Sequence, residues 1–134
     1  MSAAAEIRTF DISISDVAAI DDWIEQVAAK WRASERTMFN ARLCIAELAA
    51  NAFEHGGSKP DDHIVVMLRQ VDGSLEIEFL DSLRPFDPTT AVAAKSPPSG
   101  AGGLGLTLVR AYANDLSYSN DGTYNRVKFK IKSA

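Results

Sequence analysis

The chain has 134 residues, of which 46% are hydrophobic and 24% charged, the ordinary balance of one globular domain. The net charge of −4 argues against a nucleic-acid binder and against a basic membrane-surface protein. No apolar run approaches the length of a membrane span, and the N-terminus lacks the pattern of a signal peptide, so we expect a cytoplasmic domain. The single cysteine, Cys44, cannot form an internal disulfide and is predicted to be a buried structural thiol.

The first part of the chain predicts a strand followed by an amphipathic helix. Apolar and polar residues alternate from Glu6 to Ile14, which is typical of a strand. Ser15 or Asp16 then caps a helix that runs to about Ala33. Its apolar residues recur at steps of three and four, and the predicted buried stripe is Val17, Ile20, Ile24, Val27 and Trp31.

A second, longer helix is predicted from Arg36 to His55. The run contains neither proline nor glycine until Gly56, which would end the helix. Positions four apart share a helix face, so Glu47, Asn51 and His55 form one polar stripe. The neighbouring apolar stripe, predicted to face the core, is Ala41, Ile45, Leu48 and Ala52.

The polar stripe of this helix is a candidate site. Glu47 offers a carboxylate base, and Asn51 offers an oxygen ligand to a hard cation such as magnesium. A solvated helix face would show the same spacing, so the functional interpretation depends on the rest of the chain.

A hairpin follows the helix. His63 to Val71 and Ser74 to Leu80 are predicted as strands, because both runs are apolar-rich and Asp72-Gly73 between them is a strong turn signal. Asp81 comes directly after the second strand.

The segment from Ser82 to Gly102 is rich in proline, glycine and serine, and a loop of this length in a small domain is usually functional. We predict a mobile lid here. Gly102-Gly103-Leu104-Gly105-Leu106 then opens a helix that runs from Leu104 to about Asn114. A glycine-rich helix N-terminus presents free N–H groups to phosphate, although a plain loop-to-helix junction is the alternative.

The chain is predicted to close with strands at Leu116–Ser119 and Tyr124–Lys132. The basic residues of the last strand are predicted to form the solvated face of an edge strand rather than a ligand site: Arg126, Lys128, Lys130 and Lys132. The whole order predicts an α/β (α+β) two-layer sandwich, in which helices cover one face of a mixed, mostly antiparallel sheet.

Three blocks thus stand in a fixed order: Glu47-x-x-x-Asn51 on a helix, Asp81 at a strand end, and Gly102-Gly103-x-Gly105 entering a helix. With these blocks the chain resembles the GHKL ATPase superfamily, which has the Bergerat fold, and in particular its branch of stand-alone serine-protein kinases and anti-sigma factors. The resemblance covers nearly the whole chain, as a single histidine-kinase-like ATPase domain over residues 1–134 with an ATP lid at about residues 82–102.

The resemblance implies a function and a role for each block. The protein would bind ATP and Mg²⁺, phosphorylate a serine of a small anti-anti-sigma protein, sequester a sigma factor, and form a homodimer. Asn51 would hold the magnesium, Glu47 would be the general base, and Asp81 would accept a hydrogen bond from the adenine amino group. The phosphates would contact the glycine-rich segment, Gly102, Gly103, Leu104, Gly105 and Leu106.

One position departs from the family pattern. The family places a glycine two residues after the adenine-contacting Asp, and here that residue is Leu83. Since a glycine lets backbone approach the base closely, Leu83 could narrow the pocket. A non-catalytic partner-switching module, with weak or no nucleotide binding, is therefore the alternative function. A weaker third is an isolated ATP-binding domain serving histidine phosphotransfer.

Overall fold

The computed structural model describes residues 4–12, 15–55, 59–87 and 109–132, together with the backbone but not the side chain of His55. The elements in chain order are β1 (Ala4–Asp11), α1 (Val17–Trp31), α2 (Glu35–His55), β2 (His63–Val71), β3 (Ser74–Asp81), β4 (Asn114–Asn120) and β5 (Asn125–Ile131). Residues 109–112 are also helical. The helix predicted from Leu104 to about Asn114 therefore ends slightly earlier than expected, because Asn114 is the first residue of β4.

The strands form one five-stranded sheet in the order β1-β2-β3-β5-β4. The predicted two-layer fold with a mostly antiparallel sheet is confirmed, and every pairing among the described strands is in fact antiparallel. The reason is that α1 and α2 return the chain to the end of the sheet where β1 stopped, which places His63 opposite Asp11. At the same end, Asp81 pairs with Asn125, so the last residue of β3 lies beside the first residue of β5.

The core lies between the two helices and one face of this sheet. The predicted apolar stripe of α2 is confirmed, because Ala41, Ile45, Leu48 and Ala52 are all buried. Alternate residues of the strands supply the other side of the core: Ile64, Val66, Leu68, Leu75, Ile77, Phe79, Val127, Phe129 and Ile131. Removing this apolar surface from water is the main term that stabilises the two-layer arrangement.

The buried face of α1 differs from the predicted stripe at both ends. Trp23 is buried and packs edge-on against Phe10 of β1, with ring centroids 5.9 Å apart. Val17 and Trp31 are only partly buried. The helix ends directly after Trp31, because Arg32 adopts a left-handed conformation.

The end of β1 also differs from prediction. The strand stops at Asp11, where the chain turns: the Ile12 N–H donates to the Asp62 carbonyl, with 3.1 Å between N and O. Asp16 then caps α1 as predicted, since its Oδ1 accepts a hydrogen bond from the Ala19 N–H at 2.9 Å. Residues 13 and 14, where the strand was predicted to continue, lie outside the described residues.

The prediction that the last strand is an edge was wrong. β5 lies between β3 and β4, and the edges of the described sheet are β1 and β4. Lys128 and Lys130 stand opposite Glu78 and Glu76 of β3, and Arg126 pairs with Glu78 at 2.9 Å between Nη1 and Oε1. The basic row thus complements an acidic row on the face away from the helices.

Candidate functional site

A cavity of about 250 Å³ lies between the C-terminal half of α2 and the neighbouring ends of β3 and β5. Two of the predicted blocks meet on its wall, since Asn51 comes from the helix and Asp81 from the end of β3. The remaining lining residues are mostly apolar: Leu48, Ala52, Phe79, Leu83, Arg84, Pro85, Phe86, Asn125 and Val127. An apolar cavity with a few convergent polar groups is typical of a small-molecule site.

Among the described residues, hydrogen-bond donors contact only one of the two carboxylate oxygens of Asp81. Its Oδ1 accepts hydrogen bonds from the Leu83 N–H at 3.0 Å and from Asn125 Nδ2 at 2.8 Å. Its Oδ2 has no donor among the described residues and remains available to a ligand. Burial is the largest cause that raises the pKa of this carboxyl above its usual value, and the two hydrogen bonds oppose that shift. The free oxygen can therefore accept a hydrogen bond from an amino group in the cavity.

Glu47 lies one helical turn before Asn51 on α2 and is partly buried. It does not line the cavity, and no described residue forms an ion pair or hydrogen bond with it.

Burial, followed by the nearby Glu47 charge, raises the pKa of the Cys44 thiol to about 12. Cys44 is fully buried as well, so its prediction as a structural thiol is confirmed.

The glycine-rich segment, Gly102 to Leu106, lies outside the described residues, as do the His55 side chain and the predicted lid beyond residue 87. The first lid residues are described. Ser82 is fixed to β2, because the Ser82 N–H donates to the His63 carbonyl at 3.1 Å and the His63 N–H donates to Ser82 Oγ at 2.9 Å. The chain leaving β3 is therefore anchored where it borders the cavity.

Leu83 occupies the position of the family glycine without backbone strain. The described non-glycine residues with positive φ are Arg32, Asp72 and Asp115, and Leu83 is not one of them. Its side chain packs against the core and lines the cavity. The substitution therefore does not demand a conformation that only glycine adopts, and it adds apolar wall at the expense of cavity volume.

Asn125 contributes to the site and was not predicted from the sequence. It is 2% exposed, lines the cavity and contacts Asp81 directly. The signal was present in the alternation of the last strand. Side chains alternate between the two faces of a strand, so Asn125 lies on the same face as Val127 and Phe129, which face the core. The alternation therefore places a polar side chain at a buried position, where it needs hydrogen-bond partners.

The described residues suit a magnesium ion that is held mainly by phosphate. They contain no group of three or more His, Cys, Asp or Glu side chains that could hold a metal by themselves. Asn51 offers an amide oxygen on the cavity wall. Since Mg²⁺ is commonly bound through one or two protein ligands together with substrate phosphates, this donor set fits the predicted ion.

A larger groove of about 980 Å³ lies elsewhere, between the C-terminal part of α1 and the N-terminal part of α2. It is lined by Met38, Phe39 and Tyr112 among others, and contains none of the predicted site residues. Phe39 precedes Asn51 by roughly three helical turns, or about 18 Å along the axis. The smaller cavity is therefore the candidate site, because it alone of the two is lined by residues of the predicted blocks, Asn51 and Asp81.

The geometry agrees with the GHKL resemblance of the sequence, since helices cover one face of an antiparallel sheet and a cavity lies between Asn51 on a helix and Asp81 at a strand end. A family model described as "Histidine kinase-like ATPase domain" matches residues 10–131, and the chain belongs to this family. Among the described residues, no helix combines the length and apolar character needed to cross a membrane.

Two similar proteins carry informative names. The chain is 30% identical to the serine/threonine-protein kinase BtrW of Bordetella bronchiseptica over 143 residues, covering 98% of this chain and 97% of that protein. It also superimposes, with a TM-score of 0.69 and 17% identity, on a crystal structure of the RsbU and RsbW domains of Rv1364c from Mycobacterium tuberculosis. That match covers 96% of this chain but only 32% of the other, and it shows the shared fold alone.

Proposed function

We propose that this protein is an ATP-dependent serine-protein kinase that acts as an anti-sigma factor in the cytoplasm. It binds ATP with Mg²⁺, phosphorylates a serine of a small anti-anti-sigma protein, and sequesters a sigma factor; a homodimer is part of the same proposal. The observation that carries it is the single cavity shared by Asn51 and Asp81, which are 30 positions apart in the sequence. The full-length similarity to a serine/threonine-protein kinase supports it.

The cavity suits a purine base rather than a whole nucleotide. Its volume of about 250 Å³ lies below the range of about 300–1,000 Å³ that is typical of pockets for drug-sized ligands. Leu48, Phe79 and Val127 offer apolar surface to the faces of the base, and Asp81 Oδ2 offers an acceptor to the adenine amino group. The ribose and phosphates then extend out of the cavity.

Two groups are proposed to hold the phosphate end. Asn51 holds the magnesium ion through its amide oxygen, and the backbone N–H groups of Gly102, Gly103, Leu104, Gly105 and Leu106 bind the phosphate oxygens. When bound, Mg²⁺ neutralises phosphate charge and stabilises the charge of the leaving group. Asn51 would therefore hold the phosphate end from the helix that lines the cavity.

Glu47 is the proposed general base. Residues four apart on a helix are neighbours, with about 5–6 Å between Cβ atoms, so Glu47 stands next to Asn51. No described side chain neutralises its carboxylate by an ion pair. Glu47 accepts the proton of the serine hydroxyl as that oxygen attacks the γ-phosphorus of ATP, while the bond from this phosphorus to the bridging oxygen breaks and ADP leaves.

Leu83 favours a second candidate, a partner-switching module that never transfers phosphate, because its side chain lines the cavity where the family has a glycine. Calorimetric titration with ATP and Mg²⁺, with and without chelator, separates the outcomes when combined with a phosphotransfer assay on a recombinant anti-anti-sigma protein. Metal-dependent binding with serine phosphorylation supports the kinase. Binding without transfer supports the switch module, and no binding contradicts the proposed use of ATP.

Asp81→Asn is expected to reverse the base preference from adenine towards guanine. The Asn125 Nδ2 and Leu83 N–H donors would retain the amide oxygen of the new side chain, which turns its NH₂ group to the ligand. A donor there opposes the adenine amino group and suits the guanine carbonyl. Competition between ATP and GTP measures the ratio of dissociation constants, which should shift by about 10-fold or more. An unchanged ratio would remove Asp81 from base recognition.

The same variant should raise the free energy of unfolding near neutral pH. Because burial raises the pKa of Asp81, the native state binds the proton more tightly than the unfolded state does. Wild-type stability from this group therefore increases as pH falls through the folded-state pKa, and levels off below the unfolded-state pKa. The difference in the free energy of unfolding between Asp81→Asn and the wild type should therefore become smaller as the pH falls from above the folded-state pKa to below the unfolded-state pKa. Urea unfolding of both proteins from about pH 7 to about pH 3 tests this, and an advantage that grows on acidification would contradict it.

A further inference from the structure

Asn125 joins the candidate site to the beginning of the predicted lid. Its Nδ2 donates to Asp81 Oδ1 at 2.8 Å, to the Arg84 carbonyl at 3.0 Å and to the Leu83 carbonyl at 3.2 Å. All three acceptors belong to residues that line the cavity. One buried amide therefore contacts both the candidate base-recognising carboxylate and the backbone that follows it.

The other side of the same amide is equally occupied. Asn125 Oδ1 accepts hydrogen bonds from the Tyr118 hydroxyl, from Asn120 Nδ2 at 3.1 Å and from the Phe86 N–H at 3.3 Å. Acceptors surround the nitrogen and donors surround the oxygen, so a flipped amide would set like groups against each other on both sides. The partners thus fix the amide in one orientation.

We propose that Asn125 is a positioning residue that determines which way the Asp81 carboxylate faces, and thereby sets the preference for adenine over guanine. This inference rests on the proposed function, since it concerns how the same cavity selects its base. Asn125 itself need not touch the base. It acts by holding Asp81 Oδ1, so that Oδ2 remains the acceptor for the ligand.

The hydrogen bonds explain why this control belongs to Asn125. Asp81 Oδ1 has two donors, Asn125 Nδ2 and the Leu83 N–H, and only the first is supplied by a side chain. Without the amide donor, a single backbone N–H would hold a partly buried carboxylate, which could then turn its oxygens between that donor and the cavity. The free acceptor would lose its fixed direction, and selectivity depends on that direction.

Asn125 also fixes the shape of the wall. Asn125 accepts a hydrogen bond from the Phe86 N–H and donates to the Leu83 and Arg84 carbonyls, so it holds three residues of the segment after β3 against β5. Leu83 is the residue that replaces the family glycine, so its side chain is held at the cavity wall by the same amide. The volume left for the base and the orientation of its acceptor are therefore set together.

Asn125→Asp tests the inference with almost no change of shape. One carboxylate oxygen can still accept from Phe86, Tyr118 and Asn120, but the other places an acceptor against Asp81 Oδ1 and two carbonyls. We expect the affinity for ATP to fall by about 10- to 100-fold, and the ratio of GTP to ATP dissociation constants to fall towards one. Calorimetric titration with each nucleotide and Mg²⁺ gives both quantities, and circular dichroism reports whether the variant is folded.

Two further variants keep the test decisive. Tyr118→Phe removes one donor to Asn125 Oδ1 and leaves the contacts with Asp81 intact, so it should lower Tm without altering the nucleotide ratio. Asn125→Ser, which carries a smaller side chain with a single donor, replaces Asn125→Asp if the charged variant does not fold, and should also reduce the ratio.

A folded Asn125 variant that loses affinity for ATP and GTP equally, or for neither, would overturn the inference. A reduced ratio in Tyr118→Phe would also overturn it, because selectivity would then follow general loosening of the fold. Failure of the proposed function is distinguishable, since the wild-type protein would then bind neither nucleotide before any variant was made.

Discussion

Glu47→Gln is expected to lower the rate of serine phosphorylation by about 10²- to 10⁴-fold while leaving the affinity for ATP nearly unchanged. Glutamine keeps the size of the side chain and removes its ability to take a proton. Glu47 is only partly buried and forms no ion pair with a described residue, so the exchange should not disturb the fold. Single-turnover transfer of labelled phosphate from ATP measures the rate, and calorimetry measures the affinity.

Glu54→Gln is the matched control for this variant. It makes the same chemical change on the same helix, seven residues further on, at an exposed position that does not line the cavity. Its transfer rate should equal that of the wild type. If Glu47→Gln also turned over at the wild-type rate, Glu47 would not be the base, and another group or the substrate itself would have to take the proton.

Asn51→Ala is expected to weaken Mg²⁺-dependent binding of ATP by about 10- to 100-fold. Alanine is a good helix former and the neighbouring helix residues Leu48 and Ala52 stay packed, so the loss should reflect the missing amide oxygen rather than a broken helix. The diagnostic quantity is the difference between titrations with Mg²⁺ and with chelator. That difference should be large in the wild type and nearly absent in the variant.

Asn40→Ala provides the control for the metal ligand. Asn40 is a partly buried asparagine on the same helix, but it lines the larger groove between α1 and α2 instead of the candidate site. Its affinity for ATP with Mg²⁺ should match the wild-type value. An unchanged metal dependence in Asn51→Ala would show that the cation, if bound, is held by other groups.

Local pattern predicted the elements whose contacts are close in sequence. The β2–β3 hairpin follows from Asp72-Gly73 and its flanking strands, and the buried face of α2 follows from the spacing of its apolar residues. The position of β5 inside the sheet could not be predicted this way. Lysines on one face look alike on an edge strand and on an interior strand, and only the non-local pairing with Glu76 and Glu78 distinguishes them.

The candidate site divides in the same manner. The resemblance to the GHKL family implied that Asn51 and Asp81 share a cavity, whereas the catalytic and ligand roles stay predictions. Asn125 makes its contacts with residues 39 to 44 positions away and with the nearby β4, so no single stretch of sequence shows the whole network. The local clue was that the alternation of the last strand places Asn125 on the buried face.

The buried thiol of Cys44 is a natural probe of local unfolding in α2. Alkylating reagents attack the thiolate, and burial both blocks access and raises the pKa to about 12. Since the chain has no second cysteine, any labelling by a thiol-specific reagent must follow exposure of the middle of α2. The labelling rate, with and without nucleotide, therefore measures how often the helix that carries Glu47 and Asn51 unfolds locally. The measurement requires no dye or engineered probe.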